Sequence, residues 1–219
     1  MYPVELHDYK MIAGPFNGTY GSVWIGQHKD LGWKKAFKRL HAHVMPNIIE
    51  EEAKRLQAVK SPYVIQIHEF IREKSWGNVL AMEFCPRGLD EHLATRFEQT
   101  SGCIPYDEAR DLLDGILRGL DDAHAAGIIH GDIKPANVRF GTGANEQQLG
   151  LPKLSDFGAA RRMREEKGTI IKGSTNWMAP ELLMGGEATQ QSDYFSFGIL
   201  AYLVFSGHHP FYAADPSCL

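Results

Sequence analysis

The hydrophobic period of this chain changes once, at Cys85-Pro86-Arg87-Gly88, and that change restricts it to folds built from two unlike halves. Before it, apolar residues come in strand-length runs. Ser22-Val-Trp-Ile25, Lys35-Ala-Phe-Lys38 and Val79-Leu-Ala-Met-Glu-Phe84 are short, apolar or alternating, and bounded by Gly, Asn or Asp. One helical stretch interrupts them, with Ile48, Ile49, Ala53, Leu56 and Val59 at helical spacing and Ser61-Pro62 as its stop. Beyond the change, Ala109, Leu112, Leu113, Ile116, Leu117, Leu120 and Ala123 mark one face of a long helix that opens after Pro105 and closes at Gly127. A second helix is expected from Asp193 to Phe205; it is apolar nearly all round, which predicts burial on every side. The stretch between them reads as loop-rich, with Gly141-Thr-Gly-Ala-Asn145 as a flexible connection. The expectation is one α+β domain with a small sheet-based lobe (1–84), a hinge (85–88) and a larger, mainly helical lobe (89–219).

Composition excludes several functions. The 219 residues carry 23 basic and 27 acidic side chains, without the cationic stripe of a nucleic-acid-binding chain. The longest apolar stretch, Phe197 to Phe205, is far short of the ~20 residues of a membrane span. The first ten residues include Glu5, His7, Asp8 and Lys10 and form no signal-peptide core. Cys85, Cys103 and Cys218 are odd in number and widely spaced, so no disulfide framework is implied. The expectation is a cytoplasmic protein with neither nucleic acid nor membrane as partner.

Gly18-Thr-Tyr-Gly21-Ser-Val23 holds two of the three glycines of a G-x-G-x-x-G-x-V hairpin, with Phe16 where the first belongs. Glycine there lets backbone amides approach phosphate oxygens; taken alone, the segment reads more readily as a plain hairpin turn. Lys38 lies in a strand pattern, and the following helix carries Glu50, Glu51 and Glu52. A lysine held by a carboxylate presents a fixed charge to a polyphosphate, whereas the same residues alone also describe a strand edge and a solvated acidic helix face. His41, His43, His208 and His209 lack companions at metal-ligand spacing and read as surface or turn residues.

The order of later motifs decides among these readings. His130-Gly-Asp-Ile-Lys-Pro-Ala-Asn137 follows the long helix; Lys153-Leu-Ser-Asp-Phe-Gly158, Gly173-Ser-Thr-Asn-Trp-Met-Ala-Pro-Glu181 and Asp193-Tyr-Phe-Ser-Phe-Gly198 come after it. Together with Lys38 and Glu52 they resemble the eukaryotic-type serine/threonine protein kinase family, from about Tyr9 to Phe211. The resemblance implies a two-lobed kinase fold and ATP- and Mg2+-dependent phosphorylation of protein substrates. It implies Asp132 as catalytic base, Lys134 as charge compensation, Lys38 with its partner Glu52 on the phosphates, and Asn137 and Asp156 as magnesium ligands. It also implies nucleotide contacts from Gly18, Gly21, Val23, Ala36, Met82, Glu83 and Cys85, and a bracing role for Asp193 beneath the catalytic loop.

Four departures stand out. Phe16 replaces a glycine, which weakens phosphate coverage. Gly131 replaces the arginine that often precedes the catalytic aspartate and there requires a phosphorylated activation segment. Ser174 replaces a threonine. The chain ends at Leu219, earlier than the family's carboxyl lobe. That last feature implies a shortened lobe whose apolar helix is covered by a homodimer contact or a partner protein. A pseudokinase or nucleotide-binding module is the alternative reading, and a small-molecule kinase a further one.

Overall fold

The computed structural model describes residues 5–18, 21–41, 47–74, 76–99, 104–143, 148–162 and 175–211. Six strands, β1 (Glu5–Leu6), β2 (Tyr9–Asn17), β3 (Gly21–His28), β4 (Lys34–Leu40), β5 (Ile67–Glu73) and β6 (Gly77–Glu83), form an antiparallel sheet in the order β1-β2-β3-β4-β6-β5. Helix α1 (Asn47–Ala58) packs against β5 and β6. Side-chain alternation separates the two faces. Trp24, Phe37, Val79 and Ala81 join Leu6, Ile71 and Trp76 in an outer cluster, whereas Val23, Ile25, Ala36, Leu80 and Met82 belong to the main core on the inner side. A slip of one residue would exchange these sets, so the register is strongly specified. Lys38 shares the inner face, with Val23 and Leu80 as its cross-strand neighbours.

Five short strands follow: β7 (Arg87–Gly88), β8 (Ile128–Ile129), β9 (Val138–Thr142), β10 (Leu149–Leu154) and β11 (Arg161–Arg162). Helices α2 (Leu89–Gln99), α3 (Tyr106–Ala125), α4 (Pro180–Leu183) and α5 (Gln190–Ser206) complete the described elements. The fold is that of a two-lobed kinase, with a sheet lobe and a helical one. α5 starts with a reciprocal cap: Ser192 N–H donates to the Thr189 hydroxyl oxygen, and Thr189 N–H to that of Ser192.

Two glycines inside α3 explain how the helical half meets the sheet half. Interior glycine costs about 1 kcal/mol relative to alanine, so Gly115 and Gly119 need a reason. A Cβ on Gly115 would lie 2.5 Å from Pro152 Cγ, and one on Gly119 would lie 2.8 Å from the Tyr63 carbonyl oxygen. Their absence lets β10 and the segment after α1 lie directly on α3. Leu154 N–H then donates to Tyr63 C=O (2.8 Å) and Ile65 N–H to Leu154 C=O (2.9 Å). The end of β10, just before Ser155-Asp156, is thus anchored to both halves.

The structure differs from the sequence expectation in several places. The 141–145 region is not a simple flexible connection: Gly141 and Thr142 end β9, which pairs with β10, while 144–147 lie outside the described residues. Pro152 and Gly150 disguise β10 as loop, and β10 tolerates them because it is an edge strand. Helix α2 went unforeseen because only Leu89, Leu93 and Phe97 supply its apolar side. Helix α5 is buried on one side only, in keeping with the expectation that part of its apolar surface is left uncovered within this chain. Ile199, Leu200 and Val204 are buried, but Tyr202 and Phe205 are 47% and 44% exposed. No helix among the described residues is long and apolar enough to cross a membrane.

Candidate active site

Lys38, projecting from β4, joins two carboxylates from distant elements. Its Nζ donates to Glu52 Oε1 (2.7 Å) and Oε2 (2.9 Å) on α1 and to Asp156 Oδ1 (2.7 Å) after β10. The remaining acids of α1 face outward, Glu50 to Arg72 and Glu51 to Lys54. Burial by itself lowers the Lys38 pKa, but Glu52 and Asp156 together outweigh it and hold the ammonium well above the ordinary lysine range. Burial pushes Glu52 above the usual carboxylate range against the pull of Lys38, and the Asp156 charge adds to the rise. For Asp156, burial acts upward, but Lys38 prevails and keeps the carboxyl below its usual value. One cation shared by two anions produces this split, because the ionised form is harder to hold at the more deeply buried Glu52 than at the partly exposed Asp156.

Asp156 adopts φ 60°, ψ 64°, a left-handed conformation that aspartate tolerates better than most residues. The next residue, Phe157, is fully buried with its ring 4.6 Å from that of His130. His130 is structural: its Nε2 donates to Ser155 C=O (3.0 Å), and its Nδ1 accepts Asp132 N–H (3.3 Å). The loop beginning at His130 is held from below by α5. Asp193 Oδ2 accepts His130 N–H and His124 Nε2–H, and Oδ1 accepts Gly131 N–H, each at 2.8 Å.

A second cluster forms within this loop. Asp132 Oδ2 accepts Lys134 Nζ (2.7 Å) and Asn137 Nδ2 (2.8 Å), and Asn137 Nδ2 also donates to Asp132 C=O (2.7 Å). Ser155 ties this cluster to the first, its N–H and hydroxyl both donating to Asn137 C=O at 2.8 and 3.0 Å. Both hydrogen bonds of the Asn137 amide nitrogen go to Asp132, so Oδ1 is its atom suited to a cation. The Asp156 side chain is 38% exposed, with Oδ1 on Lys38. An amide oxygen and a carboxylate oxygen on adjoining loops fit a hard divalent cation that completes its shell with water or phosphate. No group of three or more His, Cys, Asp or Glu capable of holding a metal occurs among the described residues.

The expected nucleotide residues lie along the inner face of the sheet. Ala36 pairs with Met82 and with Ile25, and Val23 pairs with Lys38. Gly18 N–H donates to Gly21 C=O (2.8 Å), drawing the ends of β2 and β3 together. The end of β6 and the segment after it are held from both halves. Glu83 Oε1 accepts Gln66 N–H (2.7 Å) and meets Lys153 Nζ (3.1 Å), while Arg139 donates to Cys85 C=O (3.0 Å). Burial pushes the Cys85 thiol up to about 12. His124 and Arg139 escaped sequence reasoning because their partners are remote and no local pattern marks them, whereas Lys153 and Ser155 lie in the Lys153–Gly158 motif but were given no role there. Thr19, His43, Cys103, Arg164, Lys167, Thr169, Ser174 and Cys218 lie outside the described residues.

The sequence is similar to those of known protein kinases. The protein kinase domain model matches residues 16–218. The chain is 34% identical over 215 residues to the serine/threonine-protein kinase pkn2 of Myxococcus xanthus, covering 93% of this chain and 25% of that protein. It is 29% identical over 212 residues to a carbon catabolite-derepressing protein kinase of Candida tropicalis, covering 93% and 32%. The cytokinesis protein sepH of Aspergillus niger is 29% identical over 216 residues, covering 97% and 15%. The chain belongs to the protein kinase family. It spans 32% or less of the length of each of these relatives.

Proposed function

We propose that this chain transfers the γ-phosphoryl group of ATP to serine and threonine hydroxyls of protein substrates. The observation that carries the reading is the pair of linked clusters, Lys38–Glu52–Asp156 and Asp132–Lys134–Asn137, joined through Ser155. Phosphoryl transfer asks a protein chiefly for positioning and charge compensation, and these six side chains supply both. Lys38, oriented by Glu52, grips the α- and β-phosphates. Ala36, Val23 and Met82 flank the adenine, and the backbone from Glu83 to Cys85 reads its edge where the lobe at 1–84 enters a hinge at 85–88 that leads to the lobe at 89–219. Gly18 and Gly21 let loop amides approach the phosphates.

Asp132 accepts the proton of the acceptor hydroxyl as that oxygen bonds to the γ-phosphorus and the bond to the departing ADP oxygen breaks. Lys134 offsets the charge on the phosphoryl oxygens. Asn137 and Asp156 would hold magnesium, which supplies neutralisation of the phosphates when bound. Support for serine and threonine comes from Asp132-Ile-Lys-Pro-Ala-Asn137 and from the name of the Myxococcus xanthus relative. A cytoplasmic setting accompanies this reading. So does a homodimer or partner contact over α5, supported by the exposed Tyr202 and Phe205 and checked by light scattering.

The test is incubation with labelled ATP, magnesium and casein. Wild type should label casein, and Asp132→Asn should lose about 10²–10⁴ in rate, the usual contribution of a general base. Equal rates would overturn the assignment. A chain that binds ATP without turnover would instead be a nucleotide-binding module.

A further inference from the structure

Phe16 is 57% exposed at the end of β2, and the register of the hairpin determines which way it faces. Phe16 is the Cα partner of Val23, and Asn17 that of Ser22. The Ser22 hydroxyl donates to Asn17 Oδ1 at 2.7 Å and lies 3.1 Å from His41 Nε2, so this pair occupies one face of the hairpin. Alternation along both strands puts Phe16 and Val23 on the opposite face. That face is the inner one: Val23 packs on the main core and pairs on its other side with Lys38.

Two rows of residues therefore cross the inner face. Phe16, Val23, Lys38 and Leu80 form one; Ile25, Ala36 and Met82 form the other, nearer the segment after β6. The strand spacing puts the Phe16 backbone roughly 10 Å from that of Lys38. For a nucleotide with its base against the Ala36–Met82 row and its phosphates on Lys38, the sugar would lie between the two rows, and Phe16 stands at the open end of the first. The ring has no core to fill there, and an exposed aromatic gains from any apolar contact that covers it.

We propose that Phe16 is a nucleotide-contacting residue whose ring closes the outer wall of the cleft over the ribose. The proposal rests on the nucleotide reading above. It gives the aromatic ring a positive role at a position where a glycine would serve only by letting backbone approach the phosphates. Because the contact is apolar and made to the sugar, its contribution does not depend on how many phosphates follow.

The test measures binding of adenosine, ADP and ATP to the wild-type chain and to Phe16→Ala and Phe16→Tyr, by calorimetry, with thermal unfolding alongside. Phe16→Ala should weaken all three ligands by a common factor of about ten, the burial of part of one ring. It should raise KM for ATP much more than it changes kcat. Phe16→Tyr should restore binding, and the exposed ring should leave Tm unmoved in both variants. Unchanged or tighter binding by Phe16→Ala, or a loss confined to ATP, would overturn the proposal, the latter assigning the effect to loop amides and phosphates. A wild-type chain that binds no nucleotide at all would remove the kinase reading and this inference with it.

Discussion

The carboxylate of Asp193 accepts the backbone N–H of Gly131 at 2.8 Å, across 62 positions of sequence. The same buried side chain takes the His130 N–H and the His124 ring, so α5 determines where the loop carrying Asp132 begins. Asp193→Asn replaces an accepting oxygen with an NH2 group facing a donor and leaves a buried amide unpaired. Such a loss costs about 1–3 kcal/mol. Urea denaturation should show that destabilisation together with a fall in phosphoryl transfer. An asparagine variant with a wild-type midpoint would contradict the bracing role.

Gly131 sits at φ 78°, in the left-handed region, while donating that hydrogen bond. Gly131→Ala should therefore cost about 1 kcal/mol through backbone strain alone. The glycine also brings no cationic side chain next to Asp132, so no activation-segment phosphate is required to neutralise one. Phosphatase-treated protein should keep most of its activity. A collapse to background after dephosphorylation would refute this.

Lys38 and Glu52 should be strongly coupled. Lys38→Met leaves the buried Glu52 carboxylate with Asp156 as a like-charged neighbour, and removing one partner of a buried pair costs about 3–5 kcal/mol. Glu52→Gln added to Lys38→Met should recover part of that loss, since the stranded charge is gone, while activity stays low in every variant. A double-mutant cycle by urea denaturation measures the coupling, and simple additivity would exclude it.

How much of this was legible beforehand depended on whether the determining contact was local. The α3 stripe from Ala109 to Ala123 and the loop from His130 to Asn137 were readable because their signals lie within a few residues of one another. Strands β5 and β10 were not. β5 (Ile67-His-Glu-Phe-Ile-Arg-Glu) is an edge strand with an exposed side and little apolar alternation, and β10 contains Pro152. The Asp156–Lys38 bridge spans 118 positions and was not expected: the family resemblance gave Lys38 only Glu52 as a side-chain partner and Asp156 only a metal-binding role. The Arg139 and Lys153 contacts behind Glu83 and Cys85 had no sequence signal, because their partners are set by the packing of β9 and β10 against the sheet half.

Glu108 ties α2 to α3 and should make part of the stability pH-dependent. Its Oε1 accepts Arg96 Nε (3.0 Å) and lies 2.9 Å from His92 Nε2, and its Oε2 accepts a second Arg96 nitrogen. Burial alone would raise the Glu108 pKa, but Arg96 and His92 together hold it below the usual glutamate value. A depressed folded-state pKa means that the native state favours the ionised form. Its contribution is therefore complete above the unfolded value of about 4.3 and is lost as pH falls through the folded value. The side chain is 33% exposed, so solvent screening limits the effect, and Glu108→Gln should cost only about 1 kcal/mol at pH 7. Urea midpoints of the two proteins should differ most at pH 7 and in low salt, and should converge as pH drops below about 4. A gap that stays constant from pH 7 to pH 3.5 would assign the role of Glu108 to packing rather than charge.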